Sequence, residues 1–144
     1  MADKKGKEVI IINRRSGKAL QPETTENGAA VLQTEITGAP EQIWYTEKTD
    51  GGTRLIHKAS GKALDLIYGG TGSGTGVHIW EKTDAPGQLW KITGGVSRKV
   101  TNPAAAKVLD IRDMSEQDGA PAQIWDDVGG ENQRWRFTAP AVRT

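Results

Sequence analysis

Apolar residues along this chain come in short runs cut by glycine, asparagine, aspartate or proline. Val9-Ile10-Ile11-Ile12, Arg54-Leu55-Ile56-His57 and Lys99-Val100-Thr101 read as strands that open three successive stretches. Second strands are predicted at Ala19-Leu20, Leu64-Asp65-Leu66 and Val108-Leu109-Asp110-Ile111, and third strands at Val31-Leu32, Val77-His78-Ile79-Trp80 and Ala122-Gln123-Ile124-Trp125. Fourth strands are predicted at Ile43-Trp44-Tyr45, Leu89-Trp90-Lys91-Ile92 and Trp135-Arg136-Phe137-Thr138. Turn residues separate them: Asn27-Gly28, Asp50-Gly51-Gly52, Gly69 to Gly76, Gly94-Gly95, Asp118-Gly119 and Gly129-Gly130. Glycine supplies positive φ in tight turns, and Asn and Asp tolerate it. No window sustains helical periodicity. Short strands at regular spacing with turn signals predict an all-β barrel or sandwich.

The three stretches are copies of one unit. Gln-x-Trp recurs at Gln42-Ile43-Trp44, Gln88-Leu89-Trp90 and Gln133-Arg134-Trp135, spaced by 46 and then 45 residues. Ser16-Gly17-Lys18-Ala19-Leu20-Gln21 aligns with Ser60-Gly61-Lys62-Ala63-Leu64-Asp65 and with Ala105-Ala106-Lys107-Val108-Leu109-Asp110. Gln33-Thr34-Glu35, Ile79-Trp80-Glu81 and Ile124-Trp125-Asp126 also align, and from each final acid to the Gln of Gln-x-Trp is seven residues. A period of this length marks one supersecondary unit used repeatedly. The repeats run over about residues 7–50, 51–95 and 96–140, within a single domain covering 1–144. Propellers have a similar period but typically need four or more blades. Three four-strand units fit a closed threefold barrel.

Composition narrows the function. Lys plus Arg number 19 and Asp plus Glu 18, without the basic excess of a dedicated nucleic-acid binder. The charged start, Met1 to Glu8, has no signal-peptide character, and no apolar run approaches a transmembrane helix. Cysteine is absent and only two histidines occur, so neither a thiolate metal site nor a bound cofactor is expected. The expectation is synthesis in the cytoplasm, with export by a route other than a signal peptide left open. Gly69 to Gly76 lacks the Gly-Lys-Ser/Thr of a phosphate loop and reads as a long hairpin loop. Asp110 to Gly119 lacks the alternating acids of a calcium loop.

The five tryptophans divide into two sets. Trp44, Trp90 and Trp135 read as core, and Gln42, Gln88 and Gln133 as their backbone-bonded partners. Trp80 and Trp125 fit either a core or an exposed platform on residue type alone. Leu-Asp early in a unit, an aromatic ending the third strand and Asn-Gln-x-Trp at the close together resemble the ricin B-type β-trefoil lectins, from about Val9 to Thr138. The resemblance implies a β-trefoil, a barrel capped by a hairpin triplet, with up to three shallow sugar sites. Each site is then built from the Asp, the third-strand aromatic and the Asn before Gln-x-Trp. Unit three carries the full set: Asp110, Gln123, Trp125, Asn132 and Gln133. Unit two keeps Asp65, Trp80 and Gln88, with His78 at the Gln123 position and Gly87 at the Asn132 position. Unit one has Gln21, Thr34 and Glu41 instead, so its site is expected to be lost or changed. The family often pairs cysteines within a unit. The matching positions here are Ala19, Ala63 and Val108, opposite Ile36, Lys82 and Asp127, so no bridge forms.

These residue types suit a sugar. An ionised Asp accepts two charge-assisted hydrogen bonds from neighbouring hydroxyls. Asn donates and accepts at once. An indole offers a flat face with negative charge density to the C–H patch of a pyranose. The reading is a non-catalytic lectin for glycans or glycoconjugates, galactose or N-acetylgalactosamine being favoured by the resemblance. The alternative is a protein-interaction trefoil, an inhibitor or toxin-complex subunit, in which the repeats only hold the barrel. An enzyme is the weakest reading, because no nucleophile–base set assembles in the sequence.

Overall fold

A computed structural model describes residues 4–140, and its twelve strands fall into three sets of four. Unit one contains β1 (Lys4–Asn13), β2 (Ala19–Pro22), β3 (Val31–Thr34) and β4 (Trp44–Thr49). Unit two contains β5 (Gly52–His57), β6 (Lys62–Leu66), β7 (Val77–Trp80) and β8 (Lys91–Thr93). Unit three contains β9 (Lys99–Asn102), β10 (Lys107–Ile111), β11 (Ala122–Trp125) and β12 (Trp135–Thr138). The fourth strand of unit two is shorter than its sequence predicts, starting at Lys91 and not at Leu89. Trp90 instead exchanges two backbone hydrogen bonds with Thr53, 3.1 and 2.8 Å long.

That exchange is one of two seams that close the barrel. β1 pairs β4, β4 pairs β5, β8 pairs β9 and β12 pairs β1, all antiparallel. The Thr53–Trp90 and Arg98–Trp135 bridges complete the ring. The first and last strands of every unit form the wall, and hairpins β2–β3, β6–β7 and β10–β11 cap one end. The hairpins lock in a cycle. Gly28 N donates to Ile79 O, Gly74 N to Ile124 O and Gly119 N to Gln33 O, each at 2.8 Å. These three glycines have φ of +88°, +92° and +87°, a left-handed region that a Cβ disfavours. The architecture is a β-trefoil of three pseudo-equivalent four-strand repeats.

Trp44, Trp90 and Trp135 are buried in one core cluster with Leu20, Leu64, Leu109, Ile79 and Ile124. Each indole Nε1 donates to a second-strand carbonyl of its own unit: Leu20 O at 3.1 Å, Leu64 O at 3.1 Å and Leu109 O at 3.0 Å. A buried indole N–H needs such a partner. The glutamine two residues earlier lies in a one-turn 3-10 segment, Pro40–Gln42, Pro86–Gln88 or Glu131–Gln133. Its Nε2 donates to the carbonyl of Glu35, Glu81 or Asp126 at 2.8–2.9 Å. Its Oε1 accepts from the N–H of Thr37, Thr83 or Val128, also at 2.8–2.9 Å. The loop after each third strand therefore hangs on one side-chain amide.

Neighbouring units are stitched at the end of each first strand. Asn13 Nδ2 donates to Asn132 O (3.0 Å), His57 Nε2 to Glu41 O (2.8 Å) and Asn102 Nδ2 to Pro86 O (3.1 Å). His57 thus takes the Asn role, with its Nε2 protonated and its Nδ1 accepting from the Ser60 hydroxyl at 2.8 Å. Where the resemblance places cystines, other contacts stand. Lys82 pairs Glu47, which also pairs the buried Arg54. Asp127 pairs Arg134 and Lys99, and the hydrogen bond from Arg134 above all holds its carboxyl down at about 2.

Two predictions follow from the buried lattice. Trp90→Ala lowers unfolding free energy by about 3–5 kcal/mol in denaturant titration, the range for a large buried aromatic. A near-neutral result would remove this Trp from the core. Burial holds the His57 pKa below its ordinary 6.5. The unfolded chain therefore takes up that proton first, and stability falls as pH drops below about 6.5. In His57→Asn, which restores the residue of the other two units, the melting temperature falls less between pH 7.5 and 5.5 than in the parent.

Candidate functional site

Asp110 on β10 and Gln123 on β11 are direct cross-strand partners, so their side chains share a face. Gln123 Nε2 donates to Asp110 Oδ1 at 3.2 Å, and Gln133 Nε2 donates to Oδ2 at 3.0 Å. Asp110 is only 4 % exposed. Burial raises its pKa, and the hydrogen bonds from Gln133 and Gln123 act against that rise. A folded pKa above the unfolded value means that the stabilising contribution is present at low pH and is lost as pH rises through the folded value. Ionised Asp110 is thus held at a cost to stability. A carboxylate offers about four acceptor sites, so each oxygen can still accept a hydroxyl. The Trp125 ring, 43 % exposed, closes the strand beside it. Asn132 is buried in the following 3-10 turn, its Nδ2 3.5 Å from Ile111 O. Asp110, Gln123, Trp125, Asn132 and Gln133 all line one cleft of about 240 Å3, with Asp113, Met114 and Val128.

The same elements build a second cleft in unit two. Asp65, His78, Trp80 and Gln88 line it, with Tyr68 and Gly87, and its volume is about 570 Å3. Asp65 and His78 are cross-strand partners on β6 and β7. His78 Nε2 lies 2.9 Å from Asp65 Oδ2, and the imidazole stacks on Trp80 with centroids 5.5 Å apart. Trp80 is 40 % exposed. Gln88 uses its amide on the backbone of Glu81 and Thr83 and makes no bond to the acid of its unit, unlike Gln133. Asp65 Oδ1 is left facing the cleft beside Gly87, where an added Cβ would stand 3.1 Å from it. The unit with the complete motif has the smaller cleft.

Unit one keeps the scaffold without the site. Gln21 stands at the acid position and accepts from Gln42 Nε2 at 3.2 Å. Leu32 lies opposite it on β3, and Thr34 replaces the aromatic. The loop from Pro22 to Gly28 is two residues shorter than those from Leu66 to Gly74 and Ile111 to Gly119. In units two and three the longer loops contain the turns Ile67–Gly69 and Arg112–Met114, which carry a cleft wall.

Tyr68, Asp113 and Met114 are among the cleft residues that sequence patterning missed. They sit at φ of 53°, 57° and 54°, a left-handed conformation uncommon outside glycine. For Tyr68 and Met114 the one available signal was an aromatic or apolar residue inside a turn, and Asp113 offered none. Among the described residues, the exposed large apolar side chains other than Ile36 and Val96 all border a cleft: Tyr68 and Trp80, or Met114, Trp125 and Val128. Such clustering marks interaction sites, whereas scattered exposed apolar residues do not.

The fold agrees with what the chain is related to. Residues 2–80 and 86–143 match the family described as ricin-type beta-trefoil lectin domain-like. The chain belongs to this family. Among solved structures it is similar to ThreeFoil, a designed threefold symmetric protein, at 32% identity and a TM-score of 0.87, over 91% of this chain and 97% of that one. It is also similar to part of an exo-beta-1,3-galactanase from Clostridium thermocellum, at 29% identity and a TM-score of 0.88, over 92% of this chain but 30% of the galactanase chain. A ricin B-like lectin from Macrolepiota procera, solved in complex with lactose, shares the fold at 20% identity and a TM-score of 0.82, over 94% and 96% of the two chains. A search of the curated proteins found no match.

The Asp110 geometry yields a titration experiment. Gln123→Ala removes one of the two amide bonds that oppose the effect of burial. The Asp110 carboxyl, followed by carbon-detected NMR, then titrates at higher pH than in the parent. An unchanged or lower value would mean that this bond is absent in solution.

Proposed function

We propose that this domain binds glycans without catalysis, through the clefts of units two and three, with unit one serving the barrel alone. The observation that carries the reading is the same in both clefts: a partly exposed indole beside a carboxylate on the adjoining strand. The indole face takes the C–H patch of a pyranose. Asp110 or Asp65 accepts hydroxyls, and Asn132 adds a donor and acceptor in unit three. Galactose-type sugars are the proposed ligands. The full Asp110–Trp125–Asn132 set of unit three and the 29% identity to part of a galactanase support that choice. A shallow cleft of this kind binds in the millimolar range, roughly 4 kcal/mol. Useful affinity comes from engaging both clefts on one glycoconjugate.

Calorimetry with methyl galactoside and N-acetylgalactosamine tests this. Two sites are expected, the one in unit three being the tighter for the methyl galactoside. Trp125→Ala and Trp80→Ala each remove one site, and Thr34→Ala removes none. Asp110→Asn weakens unit three by about tenfold or more, since hydrogen bonds to charged groups contribute about 1.5–3 kcal/mol. Absence of any glycan binding at millimolar concentration would sink the reading in favour of a protein-interaction role.

A further inference from the structure

The two clefts differ most beyond the sugar platform. In unit two the cleft continues from Trp80 and Asp65 over Pro86 and Gly87 to Ala104, a residue of the β9–β10 turn in the next unit. Ala85 and Tyr68 also line it. The Tyr68 side chain is fully exposed on its left-handed turn. In unit three the Asn132 side chain stands where unit two has Gly87, and Asp113 stands where unit two has Tyr68. One difference removes a side chain from the floor and the other replaces a charged wall with an aromatic one. The cleft volume is correspondingly about 570 Å3 against about 240 Å3.

The chemistry of the extension is unlike that of the platform. Alanine methyls, a proline ring and a tyrosine ring offer no pairing for sugar hydroxyls, which would have to give up water there. Thr83, at the same cleft, accepts the Ala85 N–H at 3.1 Å and keeps its O–H as a donor. Apolar area removed from water gains free energy on the same surface, and an exposed aromatic on a cleft rim supplies such area. We infer that the cleft of unit two selects sugars carrying an apolar group next to the platform, with Tyr68, Pro86 and Ala104 packing that group. The group can be an acyl substituent on the ring or an apolar aglycone. This rests on the glycan-binding reading above.

The test uses the full chain with Trp125→Ala, which silences unit three, and ligand-observed NMR titrations. The probes are methyl galactoside, N-acetylgalactosamine and phenyl galactoside. At least one of the last two is expected to bind about tenfold tighter than methyl galactoside, from the area it buries. A gain with N-acetylgalactosamine places the selected group on the ring, and a gain with phenyl galactoside places it on the aglycone. Adding Tyr68→Ala, at a side chain too exposed to matter for folding, brings the ratio of affinities towards one, as does Gly87→Asn. The reciprocal Trp80→Ala chain, with only unit three active, shows no such preference. Equal affinities in the Trp125→Ala chain, or a preference that survives both added substitutions, would overturn the proposal. If the Trp80→Ala chain binds galactosides while unit two shows no preference, this inference fails alone. If neither chain binds any of the three probes, the glycan-binding reading fails with it.

Discussion

One glutamine side chain per unit makes the hydrogen bonds on which the loops of this trefoil depend. Gln42, Gln88 and Gln133 each reach a backbone carbonyl with Nε2 and a backbone N–H with Oε1, all within 2.8–2.9 Å. Backbone groups buried without a partner cost free energy comparable to a lost hydrogen bond. A loop that leaves the barrel and returns must therefore find partners for them, and an amide supplies donors and an acceptor from a single fixed point. Two residues later the tryptophan enters the core and ties its N–H to the second strand. The result is a frame in which the ends of β6–β7 and β10–β11 are held rigidly enough to present an acid and an indole side by side.

On that frame the three units differ in side-chain chemistry, and unit one also in a loop two residues shorter. Unit three retains a carboxylate gripped by two glutamines, unit two pairs its carboxylate with a histidine, and unit one has exchanged charge and ring for Gln21 and Thr34. The loop anchors have diverged as well. Ion pairs around Glu47–Arg54 and around Asp127 serve units two and three. Unit one is packed by the small apolar cluster of Ile10, Ile12, Ala19 and Ile43. Local anchoring by different means lets one unit change its cleft without disturbing the lattice that all three share.

Much of this was legible in the sequence because its spacing records hydrogen bonds. The seven-residue interval from Glu35, Glu81 or Asp126 to the following glutamine is the span of the Nε2 bond to that acid's own carbonyl. Trp44, Trp90 and Trp135 were legible as core for the same reason, whereas Trp80 and Trp125 were told apart from them by the resemblance, since Trp125 itself follows Gln123 at the same interval. The acids, Gln123 and His78 came from the resemblance, and the structure pairs Asp110 with Gln123 and Asp65 with His78 across neighbouring strands. What stayed hidden has no periodic trace. His57 does the work of Asn13 and Asn102, an equivalence of hydrogen-bond reach and not of residue type. Tyr68 and Asp113 sit in left-handed turns that no pattern announces. The relative size of the clefts goes with Gly87 and Tyr68 together, a missing side chain and an aromatic in place of an acid.

The central claim is that the five tryptophans divide into three that hold the barrel and two that meet a sugar. A single proton–nitrogen NMR titration with a galactoside measures all five indole N–H groups at once. The Trp80 and Trp125 signals should move progressively with ligand, while those of Trp44, Trp90 and Trp135, bonded to Leu20, Leu64 and Leu109, should stay in place. Movement of the three buried signals with Trp80 and Trp125 unchanged, or no movement of any indole at millimolar galactoside, would contradict the account.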